Sequence, residues 1–147
     1  MSLRPILSPE RIAIIEHAVD AGAAIDQLAR LLSPDSAGQA LVAASLHERE
    51  RMGSTAIGHG VALPHGRNEA FDATRAAFIR LRHPLDFGAI DGVPVDLLLA
   101  LSVPAHFTHQ HLQLLAGIAE RFSEAGLRES LRVAADAEAV YALLTGD

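Results

Sequence analysis

The segment GSTAIGHGVALPHG, residues 53–66, carries four glycines and one proline. A glycine density of this kind is typical of tight turns and close backbone approaches rather than of a helix. At its end, His65 stands between Pro64, whose ring fixes the backbone, and Gly66, which has no side chain. We expect this turn to hold the imidazole at the surface with its backbone pinned, which suits a histidine that must meet a partner.

Strand and helix patterns precede this segment. Residues 11–19 are apolar and rich in isoleucine, which predicts a strand, with a helix as the alternative. Asp20 is expected to cap a helix that runs to about Leu32, and a second helix is predicted over residues 36–51. The second helix is predicted to bury Leu41, Val42, Ser45 and Leu46.

Strands and helices also follow the segment. Residues 75–81 and 93–103 are predicted strands, and the second is apolar enough to be buried on both faces of a helix-covered sheet. Thr108 is expected to cap a helix to about residue 123, and short amphipathic helices are predicted over 127–134 and 136–144. The longest of these helices is predicted to place one apolar stripe on the core: Leu112, Leu115, Ala119 and Phe122.

Length and composition narrow the class of protein. The chain has 147 residues, of which 50% are hydrophobic, and a formal net charge of −6. We therefore expect one α/β layered domain over residues 1–147, with no basic surface for nucleic acid or anionic lipid. Cysteine is absent and all 12 basic residues are arginine, which excludes disulfides, thiolate nucleophiles and a P-loop lysine. The eight histidines, the arginines and the carboxylates are left as candidates for chemistry.

Two features bear on cellular location. The first residues do not form a charged region followed by an apolar run, so no signal peptide is expected. The longest unbroken apolar stretch, at about residues 97–101, is far shorter than the ~18–20 residues that span a bilayer. A cytoplasmic protein without membrane insertion is therefore expected.

Three ordered segments resemble the type-2 EIIA proteins, the fructose/mannitol family of the bacterial phosphoenolpyruvate-dependent phosphotransferase system. They are RERMGSTAIGHGVALPHG at 49–66, DGVPVDLL at 91–98, and VPA at 103–105 followed by THQHL at 108–112. The form GSTxIGxG is most similar to the nitrogen-regulatory branch, EIIA-Ntr or PtsN. The resemblance covers about residues 33–141. It implies one α/β domain, a mixed sheet with helices on both sides, and no cofactor.

The resemblance also implies roles for single residues. His65 matches the histidine that accepts a phosphoryl group from an HPr-like carrier, Arg49 matches an arginine beside it, and His111 matches a second histidine across the site. A neutral imidazole is a competent nucleophile, and an arginine fork suits phosphate oxygens. His111 would either donate to the phosphate or fix the tautomer of His65. Gly66, through backbone N–H groups, and Arg67 are further candidates for phosphate contact.

One departure from the family pattern concerns His59. It stands six residues before His65, where the sugar-transporter branch usually has an acidic residue. His59 either adds pH sensitivity or only lines the rim of the site. The departure favours a phosphocarrier that regulates partner proteins (a transporter, sensor kinase or enzyme) and receives phosphate from an HPr-like protein, NPr. The alternative is a relay to a sugar-specific EIIB domain. Because the sequence ends at Asp147, we expect a separate protein rather than a fused one.

Other classes of protein explain less of the sequence. His106, His109 and His111 form H-x-x-H-x-H, and imidazoles suit zinc, nickel or copper. In a helix, however, His109 and His111 point about 200° apart, so they cannot easily share one ion, and no metal is expected. Ser54 lies in Gly-Ser-Thr rather than in the G-x-S-x-G of a hydrolase. A purely structural interaction module would not explain the Pro-His-Gly segment with its arginine.

Overall fold

The computed structural model describes residues 2–106 and 109–146. Its strands are β1 (Ile12–Ile15), β2 (Ala56–Gly58), β3 (Val61–Ala62), β4 (His65–Asn68), β5 (Arg75–Leu85) and β6 (Val95–Pro104). Its α-helices are α1 (Ala21–Leu32), α2 (Ser36–Arg51), α3 (His109–Phe122), α4 (Ala125–Val133) and α5 (Ala137–Thr145). A short 3₁₀ turn, Pro9–Arg11, precedes β1.

These strands form one mixed sheet. Their order is β1-β5-β6-β3-β2, and β4 also pairs with β6. Strand β6 is antiparallel to β5 and parallel to both β3 and β4. The predicted α/β class with a mixed sheet is therefore confirmed, and β6 is its central strand.

Helices cover both faces of the sheet. On one face, Phe78 and Leu99 pack with Phe122 of α3 and with residues of α4 and α5. On the other face, Ile79 and Leu98 pack against α1 and α2. Neighbouring residues of β5 and of β6 thus enter opposite cores, as the two-residue period of a strand requires. The sequence pattern that predicted a strand buried on both faces is confirmed.

Aspartates cap three of the helices. Asp20 accepts a hydrogen bond from the Ala23 N–H (2.8 Å), Asp35 from the Gly38 N–H (2.6 Å), and Asp136 from the Ala139 N–H. Each bond satisfies an N–H group that the first helical turn leaves unpaired. The predicted bounds of α1 and α2 are confirmed. The predicted cap at Thr108 lies outside the described residues.

Several sequence-based details are wrong. The Leu41 side chain is 51% exposed, whereas Val42 and Leu46 are buried. Adjacent helical positions diverge by 100°, so Leu41 falls outside the narrow stripe that α2 turns to the sheet. Leu112 is 59% exposed and does not extend the buried stripe of α3. Strand β5 runs to Leu85, beyond its expected end at residue 81. In the described part of the chain, no helix combines the length and apolarity needed to cross a membrane.

Candidate functional site

His65 is the first residue of β4, so the expectation that it lies in a turn is wrong. It is paired with Leu101 of β6, and the Pro64 carbonyl accepts a hydrogen bond from the Leu101 N–H (2.9 Å). The side chain is half-buried rather than fully at the surface. The backbone is pinned, as the sequence suggested, but by pairing with the central strand.

The imidazole of His65 has one nitrogen engaged. Its Nδ1 lies 2.9 Å from the carbonyl oxygen of Leu63. A carbonyl oxygen can only accept, so this contact places the proton on Nδ1. Nε2 then carries the lone pair and is the nitrogen left for chemistry.

Arg49 lies in the last turn of α2 and faces the same cleft as His65. Its Nη1 donates a hydrogen bond to the carbonyl of Gly53 (2.7 Å). This bond leaves further guanidinium N–H groups for an anion. The helix end and the loop after it therefore hold the guanidinium beside the imidazole.

A cleft of about 660 Å³ is lined by five of the six residues that the sequence singled out. His111, in the first turn of α3, lines it, and its Nδ1 is buried without a hydrogen-bond partner among the described residues. Buried polar atoms are almost always hydrogen-bonded, so this nitrogen is an unusual feature of the cleft wall. The cleft is lined by Ser45, Glu48, Arg49, Met52, His65, Gly66, Arg67, Val103, Ala105, His111 and Leu112.

His59 does not join this cleft. It lies between β2 and β3, and its carbonyl accepts a hydrogen bond from Arg132, which also binds Asp96. Asp96 is five residues before Leu101 on β6, a separation of about 16 Å along a strand. The Asp91 carboxylate accepts the His59 N–H (2.8 Å), and hydrogen bonds of this kind lower the pKa of Asp91. The expected place of His59 at the rim is therefore not supported.

Gly66 is required by close approach rather than by an unusual backbone angle. A Cβ at this position would lie 2.6 Å from Ser45 Oγ and 2.7 Å from the Ser45 carbonyl carbon, on α2. Such distances are shorter than any van der Waals contact, so the helix would have to shift away from β4. Because Arg49 follows Ser45 by one turn, the shift would also move the guanidinium.

We expect Gly66→Ala to lower the free energy of unfolding by about 1–3 kcal/mol, the usual cost of overpacking. Urea unfolding followed by circular dichroism measures it. The matched control is Gly126→Ala in α4, where an added Cβ meets nothing within 4 Å. That change should stabilise the protein by about 0.5–1 kcal/mol. Equal effects of the two substitutions would show that Ser45 does not constrain position 66.

The pKa of His65 lies below its ordinary value of 6.5. Burial is the largest cause, and the charges of Arg49 and His111 lower the pKa further. The hydrogen bond to the Leu63 carbonyl and the charge of Glu50 act in the opposite direction. The site therefore keeps the imidazole neutral near neutral pH, which is the nucleophilic form.

An NMR titration of the His65 ring should show a midpoint below that of a short histidine peptide in the same buffer. The neutral form is favoured in the folded state, so the associated stability is present above pH 6.5 and is lost as the pH falls through the folded-state pKa. Urea unfolding at several pH values below 6.5 should record this loss. A midpoint above that of the peptide would contradict the burial argument.

Sequence reasoning missed three contributors to the site. The carbonyl of Leu63 orients the imidazole, and Glu50 binds the N–H (3.0 Å) and hydroxyl (2.7 Å) groups of Thr55. A backbone carbonyl carries no side-chain signal. Glu50, however, follows Arg49 directly and precedes a Gly-Ser-Thr loop, and a carboxylate there could have been recognised as an anchor for that loop.

The histidine-rich segment does not assemble a metal centre in the part of the chain that is described. Within residues 2–106 and 109–146, no three histidine, aspartate or glutamate side chains lie close enough together to hold one ion. His111 faces the His65 cleft, whereas His109 is exposed at the start of α3.

Comparison with known proteins places the chain in a family. The family model described as "Phosphoenolpyruvate-dependent sugar phosphotransferase system, EIIA 2" matches residues 5–146. The chain belongs to this EIIA 2 family. The resemblance drawn from the sequence motifs is thereby confirmed, and it extends over nearly the whole chain.

Members of the family with nitrogen-regulatory names are similar to this EIIA protein. The nitrogen regulatory protein of Pseudomonas aeruginosa is 37% identical over 145 residues, which are 97% of this chain and 94% of that protein. That of Escherichia coli is 46% identical over 99 residues, 66% of this chain and 60% of that protein. The crystal structure of nitrogen regulatory protein IIA-Ntr from Neisseria meningitidis superposes with a TM-score of 0.89 at 39% identity, covering 96% of this chain and 97% of that one.

Proposed function

We propose that this EIIA protein accepts a phosphoryl group on Nε2 of His65 from a phosphorylated HPr-like carrier and acts as a nitrogen-system regulator. The observation that carries the proposal is the state of the ring. Nδ1 is held by the Leu63 carbonyl, and Nε2 remains in a cleft shared with Arg49 and His111. A histidine that is neutral, oriented and beside a cation has what a phosphoryl acceptor needs.

The transfer exchanges one P–N bond for another. The Nε2 lone pair of His65 attacks the phosphorus, and the bond from phosphorus to the donor's imidazole breaks with its electron pair returning to that ring. Positive charge develops on the His65 ring, and the Leu63 carbonyl stabilises the proton on Nδ1. Because the transition state is loose, the protein contributes mainly by positioning and by balancing charge.

Arg49 and His111 stabilise the negative charge of the incoming phosphoryl group. A phosphoryl group brings about two negative charges to a chain whose net charge is already −6. The Arg49 guanidinium can bind two phosphate oxygens at once. His111 can donate to a third oxygen, since the Leu63 carbonyl, rather than His111, fixes the His65 tautomer. Arg67 also lines the cleft and is a further candidate for phosphate contact.

An apolar recess beside His65 provides a place for the carrier to dock. It has a volume of about 310 Å³. Arg49, His65, Ser54 and Thr55 contribute to its lining. The other lining side chains are small or aliphatic: Ala56, Ile57, Leu63, Leu115, Ala116 and Ala119. A transient partner that covers such a recess buries about 1,200 Å² or less. We propose that NPr or a similar carrier binds here.

The regulatory assignment is supported by the nitrogen-regulatory relatives. Phosphorylation would change the charge of the docking face and so recruit or repel a transporter, sensor kinase or enzyme. The same chemistry would serve a relay to an EIIB domain. The phosphorylated form therefore has to be tested with both kinds of acceptor.

The test combines the protein with phosphoenolpyruvate, enzyme I and an HPr-like carrier, followed by intact-mass measurement. We expect one acid-labile phosphoryl group, and none when the carrier is omitted. Addition of an EIIB domain should leave the label in place. Rapid loss to EIIB would favour the sugar-relay role, and absence of any label would contradict the proposal.

A further inference from the structure

A continuous hydrogen-bonded connection runs from Glu50, just before the glycine-rich segment, through two residues of that segment to the His65 ring. The Glu50 carboxylate receives both the N–H (3.0 Å) and the hydroxyl (2.7 Å) of Thr55. The Thr55 carbonyl receives the Leu63 N–H (3.0 Å), and the Leu63 carbonyl receives His65 Nδ1 (2.9 Å). Four residues that are not neighbours in sequence are thus joined in one chain.

Both ends of this chain are fixed. Glu50 lies in the last turn of α2, and Thr55 is buried, with 5% of its surface exposed. At the other end, the Pro64 carbonyl is held by the Leu101 N–H of β6. Because proline fixes the backbone on the far side of the Leu63 carbonyl, the direction of that carbonyl depends on where Thr55 holds the Leu63 N–H.

We propose that Glu50 and Thr55 are positioning residues: through Thr55, the Glu50 carboxylate fixes the Leu63 carbonyl, which keeps His65 in its Nδ1–H tautomer with Nε2 bare. The link acts through geometry, because the N–H and carbonyl groups of Thr55, and those of Leu63, belong to different peptide units. The inference rests on the proposed function of His65 and adds two residues that hold its nucleophile.

The same loop also positions the cation. Arg49 donates to the Gly53 carbonyl (2.7 Å), two residues before Thr55. The contact between Glu50 and Thr55 therefore also holds the loop that contains Gly53, the hydrogen-bond partner of Arg49. Disturbing Thr55 should affect the ring first, since Arg49 keeps its own bond to Gly53.

A matched pair of variants at Thr55 tests the hydrogen-bonded connection between Glu50 and His65. Thr55→Ser keeps the hydroxyl. Thr55→Val keeps the shape of the side chain but removes the hydroxyl donor, so only the N–H of residue 55 still donates to Glu50. Ring ¹⁵N chemical shifts of His65 in the unphosphorylated protein report the tautomer. We expect the Nδ1–H tautomer in the wild type and Thr55→Ser, and an increased Nε2–H population in Thr55→Val. The rate of phosphoryl uptake should fall about five- to tenfold in Thr55→Val only.

Glu50→Gln tests the negative charge of the Glu50 carboxylate. It also provides a second tautomer measurement if Thr55→Val fails to fold. Glutamine keeps the length of the side chain but removes the charge that raises the pKa of His65. The NMR titration midpoint of His65 should therefore fall in Glu50→Gln. The groups that face the ring, Arg49 and His111, are unchanged in this variant.

A site-remote variant controls for general destabilisation. Asp136→Ala removes the side-chain cap of α5 (2.9 Å to the Ala139 N–H), so it should lower stability without changing the His65 tautomer. An unchanged tautomer in Thr55→Val, or in Glu50→Gln where Thr55→Val does not fold, would overturn the proposal. Because the tautomer is read without phosphoryl transfer, a wild type that takes up no phosphate would reject the proposed function separately.

Discussion

A His65→Ala variant is expected to take up no phosphoryl group under conditions in which the wild type takes up one. The substitution removes the nitrogen that the Leu63 carbonyl leaves bare, and no neighbouring group replaces it in the same position. Intact-mass measurement after incubation with phosphoenolpyruvate, enzyme I and the HPr-like carrier gives the result directly. The expected effect is complete loss rather than a slower rate.

His17→Ala is the matched control, because His17 is exposed and lines a different surface depression. It should be labelled like the wild type. Far-ultraviolet circular dichroism should show that His65→Ala keeps its secondary structure, since the backbone at this position is held by pairing with Leu101. Label that persists in His65→Ala would move the acceptor to another residue, with His111 the first to examine.

Arg49→Ala is expected to slow phosphoryl uptake by about 10²–10³-fold, the usual loss when one oriented donor to a developing charge is removed. Arg49 is the cation of α2 that lines the cleft with His65, and it is held there by the Gly53 carbonyl. Rapid-quench kinetics with the phosphorylated carrier gives the rate constant for phosphoryl uptake. Arg49→Lys should recover only part of the rate, because an ammonium cannot bind two oxygens as a fork.

Arg51→Ala provides the comparison for Arg49→Ala. It removes the same charge from the same helix end, but Arg51 is exposed and lies outside the cleft lining. Its rate should stay within about twofold of the wild type, consistent with the small effect of solvated surface charges. Equal slowing in the two variants would show that only the overall charge of the protein matters. Unchanged uptake in Arg49→Ala would show that another group stabilises the phosphoryl charge.

The helical parts of the fold follow from local signals. Asp20 satisfies a free N–H of α1 through its own side chain, and residues 97–101 of β6 are an unbroken apolar run. Capping and apolar runs depend on neighbours in sequence, so they can be read without the tertiary structure. Leu41 was misassigned because two adjacent apolar positions of a helix cannot both be central to one buried stripe.

The site was predictable only in part. His65 could be singled out from its proline and glycine neighbours, but its place on a strand depends on pairing with Leu101, which lies far along the chain. Arg49 and His111 were assigned to the site through family resemblance, since no local sequence signal links them to His65. The Leu63 carbonyl could not be found in this way, because it is a backbone atom. Glu50 could have been recognised as an anchor for the loop from its position, but its bonding partner depends on the path of that loop.

The most direct test is to determine which ring nitrogen of His65 carries the phosphoryl group. The hydrogen bond from Nδ1 to the Leu63 carbonyl leaves Nε2 as the acceptor. NMR of ¹⁵N-labelled, phosphorylated protein distinguishes the two isomers through phosphorus–nitrogen coupling. We predict phosphorus on Nε2 of His65, with the proton retained on Nδ1. Phosphorus on Nδ1 of His65, or on any other histidine, would contradict the account.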